Sequence, residues 1–163
     1  GIGAISVPVH LASSAHRLAH WSNAVYLSRF LRQLKKKALL KAELFPAARL
    51  STAAIQSSMN FMQFDDAYTA PAHGFIDAMD YYERSSAVNY RSSIRVPTLI
   101  INAKNDSFLS PACYPYERVA SNPAITMETP AFGGHVGFAS SHRMHDEFWH
   151  ELRVMEFIQT FDK

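Results

Sequence analysis

The apolar positions change period several times along the chain, and each change marks an element. Ala4-Ile5-Ser6-Val7-Pro8-Val9 is a short β-branched run closed by polar residues, which predicts a strand feeding a loop. From Ser22, read as an N-cap, to about Lys41, the residues Leu27, Leu31, Leu34 and Ala38 recur at helical spacing. Arg29, Arg32, Lys35, Lys36 and Lys37 are distributed around them, so the segment predicts an amphipathic basic helix. Residues 46–75 contain Pro46, Pro71 and Gly74 and hold no steady period, so short helices and loops are expected there. Phe75, Met79 and Tyr82 predict a helix from Phe75 to about Tyr90, with Asp77, Asp80 and Glu83 on its wetter side.

Pro97-Thr98-Leu99-Ile100-Ile101-Asn102 is the clearest strand. Its apolar centre is continuous rather than alternating, which predicts burial on both faces of a parallel sheet. A helix from Pro111 to about Val119, a strand from Ala124 to Thr129 and a helix from Glu147 to Phe161 follow. The last helix carries Phe148, Leu152, Met155 and Gln159 on one stripe with Trp149 beside it. Strand, long helical insertion, strand, helix, strand, helix predicts an α/β fold with a parallel sheet.

At 163 residues, 48% hydrophobic and 18% charged, the chain suits one compact domain with its own core. No run approaches the roughly 20 apolar residues of a membrane-spanning helix, and the opening residues do not resemble a signal peptide. Cys113 is the single cysteine, so there is no internal disulfide and a reducing, cytoplasmic setting is favoured. It reads as a small buried side chain. The net charge of +2 hides an asymmetry: residues 1–50 hold 8 basic residues and 1 acid, and residues 51–163 hold 8 basic residues and 13 acids. The basic helix is by default a solvated face, with attraction to an anionic membrane surface as the sharper alternative. Nucleic acid is not expected, because the aromatics lie in apolar stripes rather than among the basic residues. His16 with His20, and His142, His145 and His150, have spacings that can bind metal, but no carboxylate or cysteine completes either set. No metal is expected.

Two loops leave the carboxyl ends of predicted strands, where open α/β sheets place their ligands. Ala103-Lys104-Asn105-Asp106-Ser107-Phe108-Leu109-Ser110 follows one, and Pro130-Ala131-Phe132-Gly133-Gly134-His135-Val136-Gly137-Phe138 follows the next. Asp106 alone also reads as an ordinary turn residue. An acid after one strand and a histidine after its neighbour can meet across the sheet end, the carboxylate fixing the imidazole tautomer. Asp106 and His135 are therefore expected within hydrogen-bond reach. Such a pair needs a nucleophile, and the G-x-S-x-G elbow that usually carries one is absent from this sequence.

Ser6-Val7-Pro8, the block from Phe64-Asp65-Asp66 through Thr69-Ala70-Pro71 to His73-Gly74-Phe75, Asp80-Tyr81-Tyr82, Arg95-Val96-Pro97-Thr98-Leu99-Ile100, Asn105-Asp106-Ser107-Phe108-Leu109 and Gly133-Gly134-His135-Val136-Gly137-Phe138 occur here in order. In these blocks the chain resembles the C-terminal half of the YheT-like branch of the α/β-hydrolase superfamily. The resemblance implies the last three strands of the parallel sheet, with a core at 1–11 and 94–163 and a cap-like helical insertion at about 12–93 covering the active site. It implies a Ser-Asp-His triad in which Asp106 is the acid and His135 the base, acting on carboxylic esters of short or medium acyl chain. Phe108 and Val136 would line the acyl pocket, and no cofactor is implied. The serine, its elbow and the oxyanion amides would lie in an N-terminal half that would be this chain's partner, leaving the chain alone inactive. The strand at Ala4–Val9 would then pair with Thr98–Asn102, its other edge being left for that half. Asp65 and Asp66 fall in a turn block, where a hydrogen-bonding role is favoured over paired catalytic carboxylates. His10 stands where the family usually has an acid, and Ser107 where a proline often follows the triad acid. Two other functions remain: an aspartate nucleophile at the missing elbow, giving epoxide or haloalkane hydrolysis, and a non-catalytic module that binds anionic surfaces through the basic helix.

Overall fold

The computed structural model describes residues 1–138 and 148–161. In chain order the elements are β1 (Ile2–Ile5), α1 (Leu11–Leu18), α2 (Ala24–Leu44), α3 (Thr52–Ser57), α4 (Phe61–Phe64), a π-helical turn (Asp65–Thr69), α5 (Ala70–His73), α6 (Ala78–Ser85), β2 (Thr98–Ile101), α7 (Tyr116–Ala120), β3 (Ile125–Glu128) and α8 (Trp149–Gln159). They fall into two compact units, one of Gly1–Val9 with the chain from Ala87 onward, the other of His10–Ser86.

The first unit is built on a parallel sheet of order β1-β2-β3. All four residues of central β2 are buried, as its unbroken apolar run requires. Successive side chains point to opposite faces, so the strand feeds two cores. Ile100 packs with Val9, Leu109, Cys113, Val119 and Ile125, whereas Leu99 and Ile101 pack with Ala103, Phe138 and Phe157. Burying each aliphatic chain in this way contributes about 2 kcal/mol.

β1 is shorter and earlier than the Ala4–Val9 run predicts. Ile2 N–H bonds the Pro97 carbonyl at 2.8 Å and opens the ladder, and Ser6 adopts φ 54°, a left-handed conformation that ends it. Gly3 is required by α8: a Cβ there would lie 2.8 Å from Val154 Cγ2. The helix expected over 111–119 divides at Pro115, which cannot donate within it, into a 3-10 turn at Pro111–Cys113 and α7. In α8 the stripe Phe148, Leu152, Met155 remains exposed. Trp149, Val154 and Phe157 face the sheet instead, because β1 admits Val154 only on that side. The predicted start at Glu147, and His142 and His145, lie outside the described residues.

The second unit is helical. Leu31 and Ala38 of α2 pack with Ile55 and Phe64, flanked by Leu27 and Leu34, on the stripe the spacing predicts. Ser22 is not its N-cap. Asn23 takes that position without a side-chain capping bond, its amide donating instead to the Arg17 carbonyl at 3.0 Å, and Ser22 lies in a 3-10 turn. α1 replaces an expected loop, because His10 caps it: Nδ1 accepts from Ser13 N–H at 3.3 Å, the role an acidic residue can play at an N-cap. Asp77 caps α6 through Asp80 N–H at 2.8 Å, so that helix starts later than Phe75 and ends at Ser85. Asp65 accepts from the hydroxyls of Thr69 (2.5 Å) and Tyr82 (2.6 Å), and Asp66 from Ala78 N–H (2.7 Å). Both carboxylates of the pair therefore hold backbone and side chains in place.

Candidate active site

Because the strands are parallel, the loops after β2 and β3 emerge at the same sheet end. Lys104 N–H bonds the Pro130 carbonyl at 2.8 Å and ties the loops together at their roots. The β2 loop then turns through Asp106 N–H to the Ala103 carbonyl (3.1 Å), which brings the Asp106 carboxylate inward. Its Oδ1 accepts from Phe108 N–H at 2.8 Å, and its Oδ2 lies 2.9 Å from His135 Nδ1. The Asp106 side chain is fully buried, whereas that of His135 is 39% exposed. An ionised carboxylate only accepts, so the contact places the proton on Nδ1 and leaves the Nε2 lone pair free to act as a base.

The histidine loop is shaped by glycine. Gly134 adopts φ 56°. A Cβ on Gly133 would lie 2.5 Å from the Phe138 ring and 2.9 Å from Ala103 Cβ. Gly137 N–H and Phe138 N–H both return to the Gly133 carbonyl, at 2.8 and 3.1 Å. The resulting tight turn presents His135 at its crest, and the buried Phe138 ring, stacked on Trp149, anchors the loop to α8.

Of the two side chains expected to line a pocket, Phe108 is buried with its ring centroid 4.7 Å from that of His135. Val136 is exposed. Tyr114 donates its hydroxyl to the Ala103 carbonyl at 2.6 Å; burial, and then the nearby Asp106 charge, push that hydroxyl up to about 12. Cys113 is fully buried in its 3-10 turn.

Three supporting residues escape sequence reasoning. Asn105 Oδ1 accepts Gly134 N–H at 2.8 Å, so the residue before the acid holds the residue before the base. Asn102, fully buried, accepts from Val7 N–H (2.8 Å) and donates to the carbonyls of Val7 (3.0 Å) and Cys113 (3.1 Å), joining the ends of β1 and β2. Ser6 donates its hydroxyl to the His135 carbonyl. It follows a parallel strand in a left-handed conformation beside a histidine, as a nucleophile would, but that hydroxyl is engaged by main chain rather than by the imidazole. The only sequence signal for these roles is position, since each stands at or just beyond the carboxyl end of a strand. Among the described residues no group of three or more His, Cys, Asp or Glu side chains could hold a metal ion, and no helix is long and apolar enough to cross a membrane.

The chain is similar to known proteins along most of its length. It is 32% identical over 158 residues to "Putative esterase YheT" of Escherichia coli, an alignment covering 96% of this chain and 46% of that protein. It is 39% identical over 101 residues to "Medium-chain fatty acid ethyl ester synthase/esterase 2" of Saccharomyces cerevisiae, covering 62% of this chain and 22% of that one. Over 84 residues it is 31% identical to "Phospholipase ABHD3" of Mus musculus, covering 52% and 20%. The chain thus spans about half the length of the first relative and about a fifth of the other two. No family model and no solved structure matches it.

Proposed function

The chain belongs to the α/β-hydrolase family, in its YheT-like branch, and from that premise we propose that it supplies the acid and the base of a serine-type carboxylic ester hydrolase. The observation that carries this reading is the 2.9 Å contact between His135 Nδ1 and Asp106 Oδ2 at the carboxyl ends of adjacent parallel strands. The nucleophilic serine, its elbow and the oxyanion amides belong to polypeptide outside this sequence.

In the assembled site, His135 Nε2 takes the serine proton as the oxygen attacks the ester carbonyl. Asp106 holds the ring and stabilises the imidazolium that forms. Collapse of the tetrahedral intermediate expels the alcohol, which leaves with the proton from Nε2. Water, deprotonated by the same nitrogen, then releases the acid and restores the serine. Phe108 packs on the imidazole, restricting its rotation and giving the acyl side of the site an apolar wall; Val136, exposed next to His135 in sequence, is proposed as the second acyl-contacting side chain. The relative whose name specifies a medium-chain fatty acid ethyl ester supports an ester of short or medium acyl chain as the substrate. No cofactor enters the cycle.

Turnover of p-nitrophenyl esters by the 163-residue chain, a longer parent chain and its His135→Ala variant tests the proposal. The chain alone should be inactive, and the variant should lose several powers of ten in rate against an active parent. Activity in the chain alone that Cys113→Ser removes would overturn the assignment of the nucleophile. A parent inactive on esters but active on epoxides or haloalkanes would identify an aspartate nucleophile.

A further inference from the structure

We propose that the face of α2 bearing Arg29, Arg32, Lys36 and Lys37 docks on an anionic lipid bilayer. Residues 10–50 carry 8 Lys and Arg against one acid, Glu43. Among the described residues, none of those four cations makes an ion pair, so their field is directed outward rather than neutralised within the fold.

Apolar side chains flank the cations at both ends of the helix and are left in solvent. Val25 is 80% exposed, Tyr26, Leu40 and Leu44 are each more than half exposed, and Trp21, in the turn that leads into α2, is 80% exposed. At 3.6 residues per turn, Val25, Arg29, Arg32, Lys36 and Leu40 fall within a sector of about 80°, with Tyr26, Lys37 and Leu44 adjoining it. Leu27, Leu31, Leu34 and Ala38 lie on the opposite side and pack into the helical unit's core. The helix therefore has one apolar stripe for the protein and a second face on which a central block of cations is flanked at both ends by exposed apolar groups.

That combination selects the partner. Protein interfaces are depleted in lysine at their centres. A duplex offers phosphates but no apolar phase for Trp21, Val25 and Leu40. A bilayer with anionic headgroups offers both, since the cations reach phosphate and carboxylate groups while the apolar side chains enter the acyl boundary. An enzyme acting on lipid esters would meet its substrate at such a surface, but the docking itself needs no catalysis and is read without it.

The test is co-sedimentation of the chain with phosphatidylcholine vesicles, with and without phosphatidylserine, followed by tryptophan emission. The chain should bind only the phosphatidylserine vesicles, and should release at 1 M salt, where screening acts within about 3 Å. Emission should shift to the blue, and Trp21→Phe, which retains only Trp149, should abolish the shift. Each neutralised cation should weaken partitioning about fivefold, so Lys36→Gln with Lys37→Gln should cost about 25-fold. These exposed substitutions should leave far-UV circular dichroism unchanged. Equal binding to both vesicle types, no binding to either, or variants that bind as the parent sequence does would overturn the proposal. Binding to duplex DNA without vesicle binding would reassign the face to nucleic acid, and a salt-resistant dimer blocking it would assign it to a second copy. A longer parent chain that ignores vesicles this chain binds would overturn the proposal for the intact protein.

Discussion

The side chain of Asn105 accepts the main-chain N–H of Gly134 at 2.8 Å, so the loop carrying the acid holds the loop carrying the base one residue before each catalytic candidate. The two loops thus form a single frame, and the 2.9 Å approach of Asp106 to His135 is set by main-chain geometry as well as by its own charge.

Asn105→Ala should therefore separate positioning from stability. The bond is solvent-accessible, so its loss costs the fold about 1 kcal/mol or less. In an active parent chain, by contrast, kcat should fall about tenfold with KM little changed, because a small displacement of the base is costly in the transition state. Thermal melts and ester kinetics on the same samples check both halves; a large loss of stability with unchanged kcat would show the bond to be structural only.

Asn102→Ala should be among the most damaging single substitutions in the sheet unit. It leaves Val7 N–H without the amide oxygen it donates to and removes the amide's two donations, to the Val7 and Cys113 carbonyls, from a fully buried position. A loss of about 3 kcal/mol is expected, read from the urea midpoint.

How far the sequence discloses this molecule depends on the range of the interaction concerned. β2 is legible because a continuous apolar run has one comfortable environment, and α2 because four apolar positions repeat at one spacing. Asp106 and His135 are legible because each follows a strand, and glycines surround the histidine. Pro115 was a visible signal that the helix over 111–119 would divide. Ser6, Asn102 and Asn105 are not legible, since each acts on backbone brought near by the sheet, 129, 95 and 29 residues away. The buried face of α8 is likewise undetermined locally: two apolar stripes compete, and the gap at Gly3 selects the one containing Val154.

That selection can be measured. Gly3→Ala drives a methyl into Val154 and should cost about 2 kcal/mol by overpacking. Val154→Ala alone leaves a void in the same place. The double variant should be more stable than the sum of the two losses predicts, by about 1 kcal/mol, because the new methyl fills part of the space vacated. Strict additivity in urea titrations would show that α8 is not held against β1 at this point.

Asp65 gives the helical unit a pH dependence of unusual sign. Burial raises its carboxyl above the ordinary value of 3.8, and the Thr69 and Tyr82 hydroxyl bonds only partly oppose this. Between the unfolded value and the raised folded one, the native state binds more protons than the unfolded chain. Asp65's contribution is thus fully present below the unfolded value and is lost as pH rises through the folded one. Asp80 behaves oppositely, since the Ile76 N–H holds its carboxyl low, and its contribution is lost as pH falls. Asp65→Asn keeps the shape and an acceptor for one hydroxyl while removing the charge. Subtracting its stability-against-pH curve from that of the unaltered chain should leave a difference that moves against the unaltered chain as pH rises from about 4 toward neutrality. A flat difference curve would mean that the two hydroxyl bonds cancel the effect of burial, and one of opposite slope that they outweigh it and hold Asp65 as a stabilised anion.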